Sequence, residues 1–329
     1  MKTFLKLAAL LLLLFVAGAA TFYLHPLFVS DTIIRSRLWR AGVKSEYVEA
    51  GGYRLHYLEA LPPANAPDRP ILLIPGLGAR GEDWAPLIPG LAAAGFHVYA
   101  PDLLGYGRSP RPDVDYSMRL EEKVVVDFMN AMHLTRPDIA GWSMGGWVSM
   151  KLAVEHPDRV DRLLLYDSAG VYFPPTFDTN LFAPTDRAGL ARLMSAISAR
   201  PRAMPGFVQD DALRKLRNNS WIVNRSMTAM VDGRDLMDFR LHLIRSPRSS
   251  SGEATTTSSR SASASASTRA SSSRIWSSWK TAATSRPPSA GNPSRRPRST
   301  SSSRGLHLRA ARPSSTTPTA TTSTFFWCQ

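Results

Sequence analysis

The stretch IAGWSMGGWVSM, Ile139 to Met150, reads as the end of a strand, a sharp turn about a serine and the start of a helix. Its centre, Gly141-Trp142-Ser143-Met144-Gly145, is a G-x-S-x-G pentapeptide. Glycines on either side let the chain reverse tightly, so that Ser143 is held strained at a helix N-terminus with its hydroxyl above the sheet. Ser143 is therefore the candidate nucleophile. An anion developing beside it needs hydrogen-bond donors. The backbone N–H of Met144 is one. The second is expected from the loop IPGLGARGEDW, Ile74 to Trp84, where Gly76 and Gly78 permit close approach and Leu77 would donate.

Outward from the serine, strand and helix signals alternate. SEYVEA and YRLHYLEA flank Gly51-Gly52 and read as a β-hairpin. PILLIPG, Pro70 to Gly76, is a short continuous apolar run, the mark of a strand covered on both faces. EDWAPLIPGLAAAG has helical character, with Pro86 and Pro89 near a helix start or bend. HVYAPD is a strand, Met118 to His133 an amphipathic helix, MGGWVSMKLAVEH a helix, and Val160 to Gly170 holds the next strand. This alternation predicts an α/β fold, a doubly wound and mostly parallel sheet. From Val171 the pattern changes to helices alone, a helical cap over the strand ends spanning residues 171–243, with the core at 30–170.

The termini differ from this body. Lys2 and Lys6 precede the uncharged Leu7 to Leu24, and residues 1–29 fit both a membrane anchor and a cleaved signal with Ala17-Gly18-Ala19 at its cleavage site. The two lysines favour a cytoplasmic N-terminus and an exported body, against which Arg35, Arg37 and Arg40 weigh. Residues 1–245 carry 28 Lys+Arg and 25 Asp+Glu, residues 246–329 carry 12 and one, so the basic character belongs to the tail. The single cysteine, Cys328, excludes an intrachain disulfide and a Cys-based zinc cluster. No cofactor or metal is expected. Nucleic acid is not expected as a partner either, because the tail's aromatics are too sparse for a stacking platform.

With IPGLGARGEDW, PDLLGYGRSPRP and GWSMGGWVSM in this order, the chain resembles a serine member of the α/β-hydrolase superfamily from Glu46 to Leu243. Asp102, Gly105, Gly107 and Ser109 match the family's D-x-x-G-x-G-x-S loop, which is structural. The apolar N-terminus is similar to that of membrane-anchored monoacylglycerol-lipase-like members. The resemblance implies hydrolysis of a small-molecule or lipid ester, with Ser143 as nucleophile, a histidine as base and an acid orienting it. A C–C bond hydrolase of the same fold is the alternative within the class. A hydrolase-like binding protein without catalysis is the alternative outside it. An epoxide hydrolase or dehalogenase would need an aspartate where Ser143 stands.

The resemblance places the acid in W-G-x-x-D after the next strand and the histidine in a Gly-His pair after one more, both beyond Arg245. Neither is there. Ser and Thr make up 38 of the last 84 residues, no apolar period survives, and residues 244–329 are expected to be disordered as written. His25, His56, His97, His133, His156, His242 and His307 all lack the expected context, and Asp167 has no histidine to orient. Such a composition is what a GC-rich gene yields out of frame. Reading one base earlier, Pro247 to Thr256 permits PTLIVWGSND, and Ile275 to Thr284 permits HLVVLENCGH. The acid then falls at the Thr256 position and the histidine at Thr284, in the order Ser, Asp, His. A frameshift near codons 245–246 is the expectation, leaving the 329-residue chain with little activity.

Overall fold

The computed structural model describes residues 1–172, 178–198 and 201–244. Two helices come first, α1 (Lys2–Leu24) and α2 (Pro26–Arg40), broken at His25. The strands are β1 (Lys44–Ala50), β2 (Tyr53–Ala60), β3 (Pro70–Ile74), β4 (His97–Pro101), β5 (Asp138–Trp142) and β6 (Leu163–Tyr166). Between them lie α3 (Ile88–Ala93), α4 (Met118–Ala131) and α5 (Met144–Glu155). The sheet runs β1-β2-β4-β3-β5-β6. The β1–β2 and β2–β4 pairs are antiparallel and the rest parallel. Gly51 and Gly52 turn the first hairpin at φ +58° and +83°, the left-handed pair that a two-residue connection needs.

The apolar run of β3 alternates between two cores. Leu72 and Ile74 face one that holds Val124, Phe128 and Val148 of α4 and α5. Ile71 and Leu73 face another with Ile88, Leu91 and Leu38. A strand covered on both faces has no polar side to show, hence its continuous hydrophobicity. Helix α4 opens on Ser117, whose hydroxyl accepts from the Leu120 N–H at 3.3 Å. Helix α5 differs, because every residue from Met144 to Ala153 is buried. Lys151 can lie there because its ammonium donates to Glu155 at 2.7 Å and Asp235 at 3.0 Å.

The expected helix in EDWAPLIPGLAAAG is two short pieces, a 3-10 turn at Gly81–Trp84 and the six-residue α3 with Pro89 in its first turn. The stretch after the apolar terminus, read only as a connection, is α2. Beyond β6 the described residues form helices alone, chiefly α6 (Arg187–Ile197) and α7 (Gly206–Val231). They pack on each other through Leu190, Ala212 and Leu213. Helix α7 also grips the core, with Tyr106 and Ser226 sharing a buried hydroxyl hydrogen bond of 2.8 Å. The expectations for residues 245–329, including the acid and histidine positions, lie outside the described residues.

Candidate active site

Ser143 stands between β5 and α5 with φ +52° and ψ −118°. A non-glycine residue at positive φ costs about 1–3 kcal/mol and persists only where its surroundings over-determine it. Here they do. The Ser143 N–H donates to Tyr166 O at 3.0 Å, and its carbonyl accepts from Gly146, Trp147 and Ala169 at 3.0, 3.2 and 3.1 Å. The two flanking glycines are required by space. A Cβ at Gly141 would lie 2.2 Å from Ser149 Oγ, and one at Gly145 2.3 Å from Ile74 O. Strand β3 and helix α5 thus touch backbone to backbone beneath the serine.

The loop after β3 closes over the same spot. A Cβ at Gly76 would lie 3.2 Å from Ser143 Cβ, so this loop and the serine turn are in contact. Gly78 takes φ +74°. Leu77, half-buried, sits between them, and Met144 opens α5. First-turn N–H groups of a helix have no acceptor within it, which leaves those of Met144 and Gly145 available to an anion.

A charge network that the sequence did not advertise holds this loop from behind. The N–H of Gly81 donates to Asp102 Oδ1 at 2.7 Å, and Asp102 Oδ2 accepts from the Arg108 N–H at 2.8 Å and His56 Nδ1 at 2.7 Å. Gly107 is obligatory beside it, since a Cβ there would fall 2.1 Å from that carboxylate. Arg80, at the end of the loop, pairs with Asp31 of α2, and Asp31 also meets Lys215 of α7 at 3.3 Å. Glu82, fully enclosed, takes Arg35 and Arg108 at 3.1 Å each. Burial alone would raise the Asp31 carboxyl, but Arg80 and Lys215 overcome it and hold it below the ordinary range. The structural D-x-x-G-x-G-x-S loop read from the sequence supplies its centre, Asp102 and Gly107, whereas its partners His56, Arg80, Asp31 and Lys215 carried no such signal.

None of the described histidines serves Ser143. His56 is fully buried on β2, three strand spacings from β5, or about 14 Å at ~4.8 Å per strand. Its Nδ1 faces Asp102 and its Nε2 lies 2.9 Å from Ser45 Oγ. That Ser–His–Asp line is a strut across the β1–β2–β4 edge, with the Arg108 guanidinium donating to Ser45 Oγ at 2.8 Å. His97 opens β4 and pairs with Glu59 and Asp68. His133 follows α4 ahead of β5, and His156 follows α5 at the end away from Ser143, resting on Glu122 at 3.0 Å. His25 and His242 are exposed, as is Asp167, which leaves β6 at φ +41°. Among the described residues, no group of three or more His, Cys, Asp or Glu could hold a metal ion.

Residues 69–212 match the family model described as alpha/beta hydrolase fold. The chain is 33% identical over 173 residues to the 2-hydroxy-6-oxo-6-(2'-aminophenyl)hexa-2,4-dienoic acid hydrolase of Metapseudomonas resinovorans, covering 51% of this chain and 56% of that one. It is 32% identical over 145 residues to Lipase 1 of Psychrobacter immobilis, covering 44% and 41%. The chain thus spans about half or less of these curated relatives. Among solved structures it is similar to a membrane phospholipase A described as a bacterial virulence factor, with a TM-score of 0.58 and 26% identity over 75% of this chain and 80% of that one. The sheet order and the family model together give this chain, through residues 69–212, the alpha/beta hydrolase fold.

Proposed function

We propose that the chain is the product of a gene for a serine hydrolase of carboxylic esters, with lipid esters as the favoured class. The observation that carries the reading is Ser143, held at positive φ between β5 and the free N–H groups of α5, against the Gly76 loop. In this mechanism Ser143 Oγ attacks the carbonyl carbon and its proton passes to a histidine base. The oxyanion is held by the N–H groups of Met144 and Leu77. Collapse expels the alcohol, which takes the proton back, and water then cleaves the acyl-enzyme by the same route.

The base and acid of this mechanism belong to the other reading frame, the histidine at the Thr284 position and the aspartate at Thr256. The 329-residue chain is accordingly a poor catalyst. Helix α1, uncharged from Leu7 to Leu24 and exposed throughout, is the proposed membrane anchor or export signal, with the body on the extracytoplasmic side. The lipid preference draws on this helix and on similarity to a lipase and a membrane phospholipase. A second reading, C–C bond hydrolysis, is favoured by similarity to the dienoic acid hydrolase.

The test is to restore one base near codons 245–246 and assay p-nitrophenyl esters. The restored protein should hydrolyse them, with loss of at least about 10³-fold in Ser143→Ala. Equal rates for wild type and Ser143→Ala would refute the nucleophile. A restored frame without Asp and His at the two positions would refute the frameshift. Turnover of a 2-hydroxy-6-oxo-dienoic acid in preference to esters would establish the second reading.

A further inference from the structure

Helix α1 is exposed along its whole length, and its last residues contact the cap. Tyr23 stacks on Phe207 of α7 with ring centroids 5.2 Å apart, and Phe22 meets the same ring at 5.8 Å. Arg214 of α7 donates to the carbonyl of Leu24, the last residue of α1, at 2.6 Å. A guanidinium on that terminal carbonyl satisfies a helix end and opposes its dipole. Three residues on, in the first turn of α2, the Leu27 N–H donates to Asp211 Oδ2 at 3.0 Å, and the Leu27 side chain packs with Leu190 and Leu213. The join is therefore made by stacked rings and a cap at the end of α1 and by a buried carboxylate at the start of α2, all against the cap helices.

The length of α1 fixes the depth of this join. Its 23 residues span about 35 Å at ~1.5 Å per residue, against a hydrocarbon core of about 30 Å. With α1 across a bilayer, Phe22 and Tyr23 fall at headgroup level on the far side from Lys2 and Lys6. Aromatic rings concentrate at that depth because they are apolar in body and tolerate a wet edge. A ring stacked on Tyr23 shares its depth, so Phe207 and the first turn of α7 reach the interface too.

We infer that the N-terminal end of the cap, Phe207 with the segment leading into α7, is seated in the headgroup region of the lipid bilayer. The partner is the lipid surface itself. Continuity with α1 argues for lipid over a second copy of the chain, since the ring that meets α1 cannot leave the depth that α1 sets. The cap is then the part of the body that α1 holds against the membrane, joined to the loop after β4 through Tyr106–Ser226 and to α2 through Asp31–Lys215. The inference rests on α1 spanning the bilayer, as proposed above.

The test uses the full chain with Cys328→Ser and Ala203→Cys, an exposed position just before α7, labelled with an environment-sensitive fluorophore. It is reconstituted in vesicles of phosphatidylcholine and phosphatidylglycerol with or without headgroup-region spin-labelled lipid. A control label replaces the exposed Asp158, past the end of α5 away from Ser143 and outside the cap. The label at 203 should be quenched several-fold more than that at 158, and Phe207→Ala should lessen the difference. Vesicle-bound protein whose two labels quench equally would overturn the seat while leaving the anchor intact. Protein that fails to float with vesicles would overturn anchor and seat together. Quenching at 203 that needs no spin-labelled lipid and grows with protein concentration would mean a second copy covers this surface, which also overturns the inference.

Discussion

Glu121 offers a measurement that needs no substrate. It lies in the first turn of α4, fully buried beneath the Leu103–Tyr106 loop. Neither carboxyl oxygen makes a well-formed hydrogen bond, the backbone of Leu104 being the nearest partner. Burial pushes this carboxyl up to about 8. A group whose folded pKa is raised binds its proton more tightly in the folded state. Its contribution is whole below the ordinary glutamate range and is lost as pH rises through about 8. Between those limits the loss is roughly 1.4 kcal/mol per pH unit, in all on the order of 5 kcal/mol by pH 9. Glu121→Gln keeps the volume and removes the ionisation. Urea unfolding followed by tryptophan fluorescence at pH 5, 7 and 9 should find the two proteins within about 1 kcal/mol at pH 5 and the variant several kcal/mol more stable at pH 9. Other raised carboxyls, such as Asp83 at about 6, are common to both proteins and cancel in the difference. Parallel pH profiles would refute the reasoning, because they would mean that Glu121 is ionised in the fold at no cost.

Two further expectations concern the scaffold under the serine. Gly145→Ala would force a Cβ to within 2.3 Å of Ile74 O and 2.4 Å of Pro75 O, whereas a Cβ at Gly78 meets nothing within 4 Å. The first should cost at least about 3 kcal/mol in urea unfolding and the second only the ~1 kcal/mol of a left-handed backbone; equal costs would contradict the backbone contact between β3 and α5. His56→Ala should destabilise by about 2–4 kcal/mol, since it removes a partner from a buried carboxylate. In the frame-restored enzyme the same change should leave kcat within a few-fold, and a loss as large as that of Ser143→Ala would make His56 the base.

How much was legible depended on whether the signal was local. The strand run PILLI, the glycine hairpin and the serine turn are local, and each appears where its residues predicted. Gly141 and Gly145 owe their presence to atoms eight and 71 residues away, in Ser149 and Ile74, yet glycine is itself the visible trace of such contact. The helix in EDWAPLIPGLAAAG broke into two because Pro86 and Pro89 deny amide donors just where a longer helix needs them. What stayed hidden is the set of long charge pairs. Asp31 finds Arg80 at a separation of 49 residues and Lys215 at 184, and no period in the sequence links them. Helix α2 hid for a related reason. Its inward face is a mixture of Leu27, Asp31, Ile34 and Leu38, so ion pairs replace part of the apolar stripe by which a helix is recognised.

The serine turn and its missing partners are separable in physical terms. Everything that forces Ser143 to positive φ comes from residues before Gly170: Gly141, Gly145, the Ile74 and Pro75 carbonyls, Tyr166 and Ala169. The loop beside it is fixed by Asp102, Arg80 and Asp31, also upstream. None of these contacts draws on residues 245–329. A strained backbone is maintained by the packing that surrounds it, and the contacts named here lie within the described residues. The turn therefore carries its geometry with no histidine among the described residues beside it. On the function proposed above, that geometry is the half of the site that would hold a carbonyl and its developing charge, and without a proton acceptor a serine hydroxyl remains a weak nucleophile however well it is aimed.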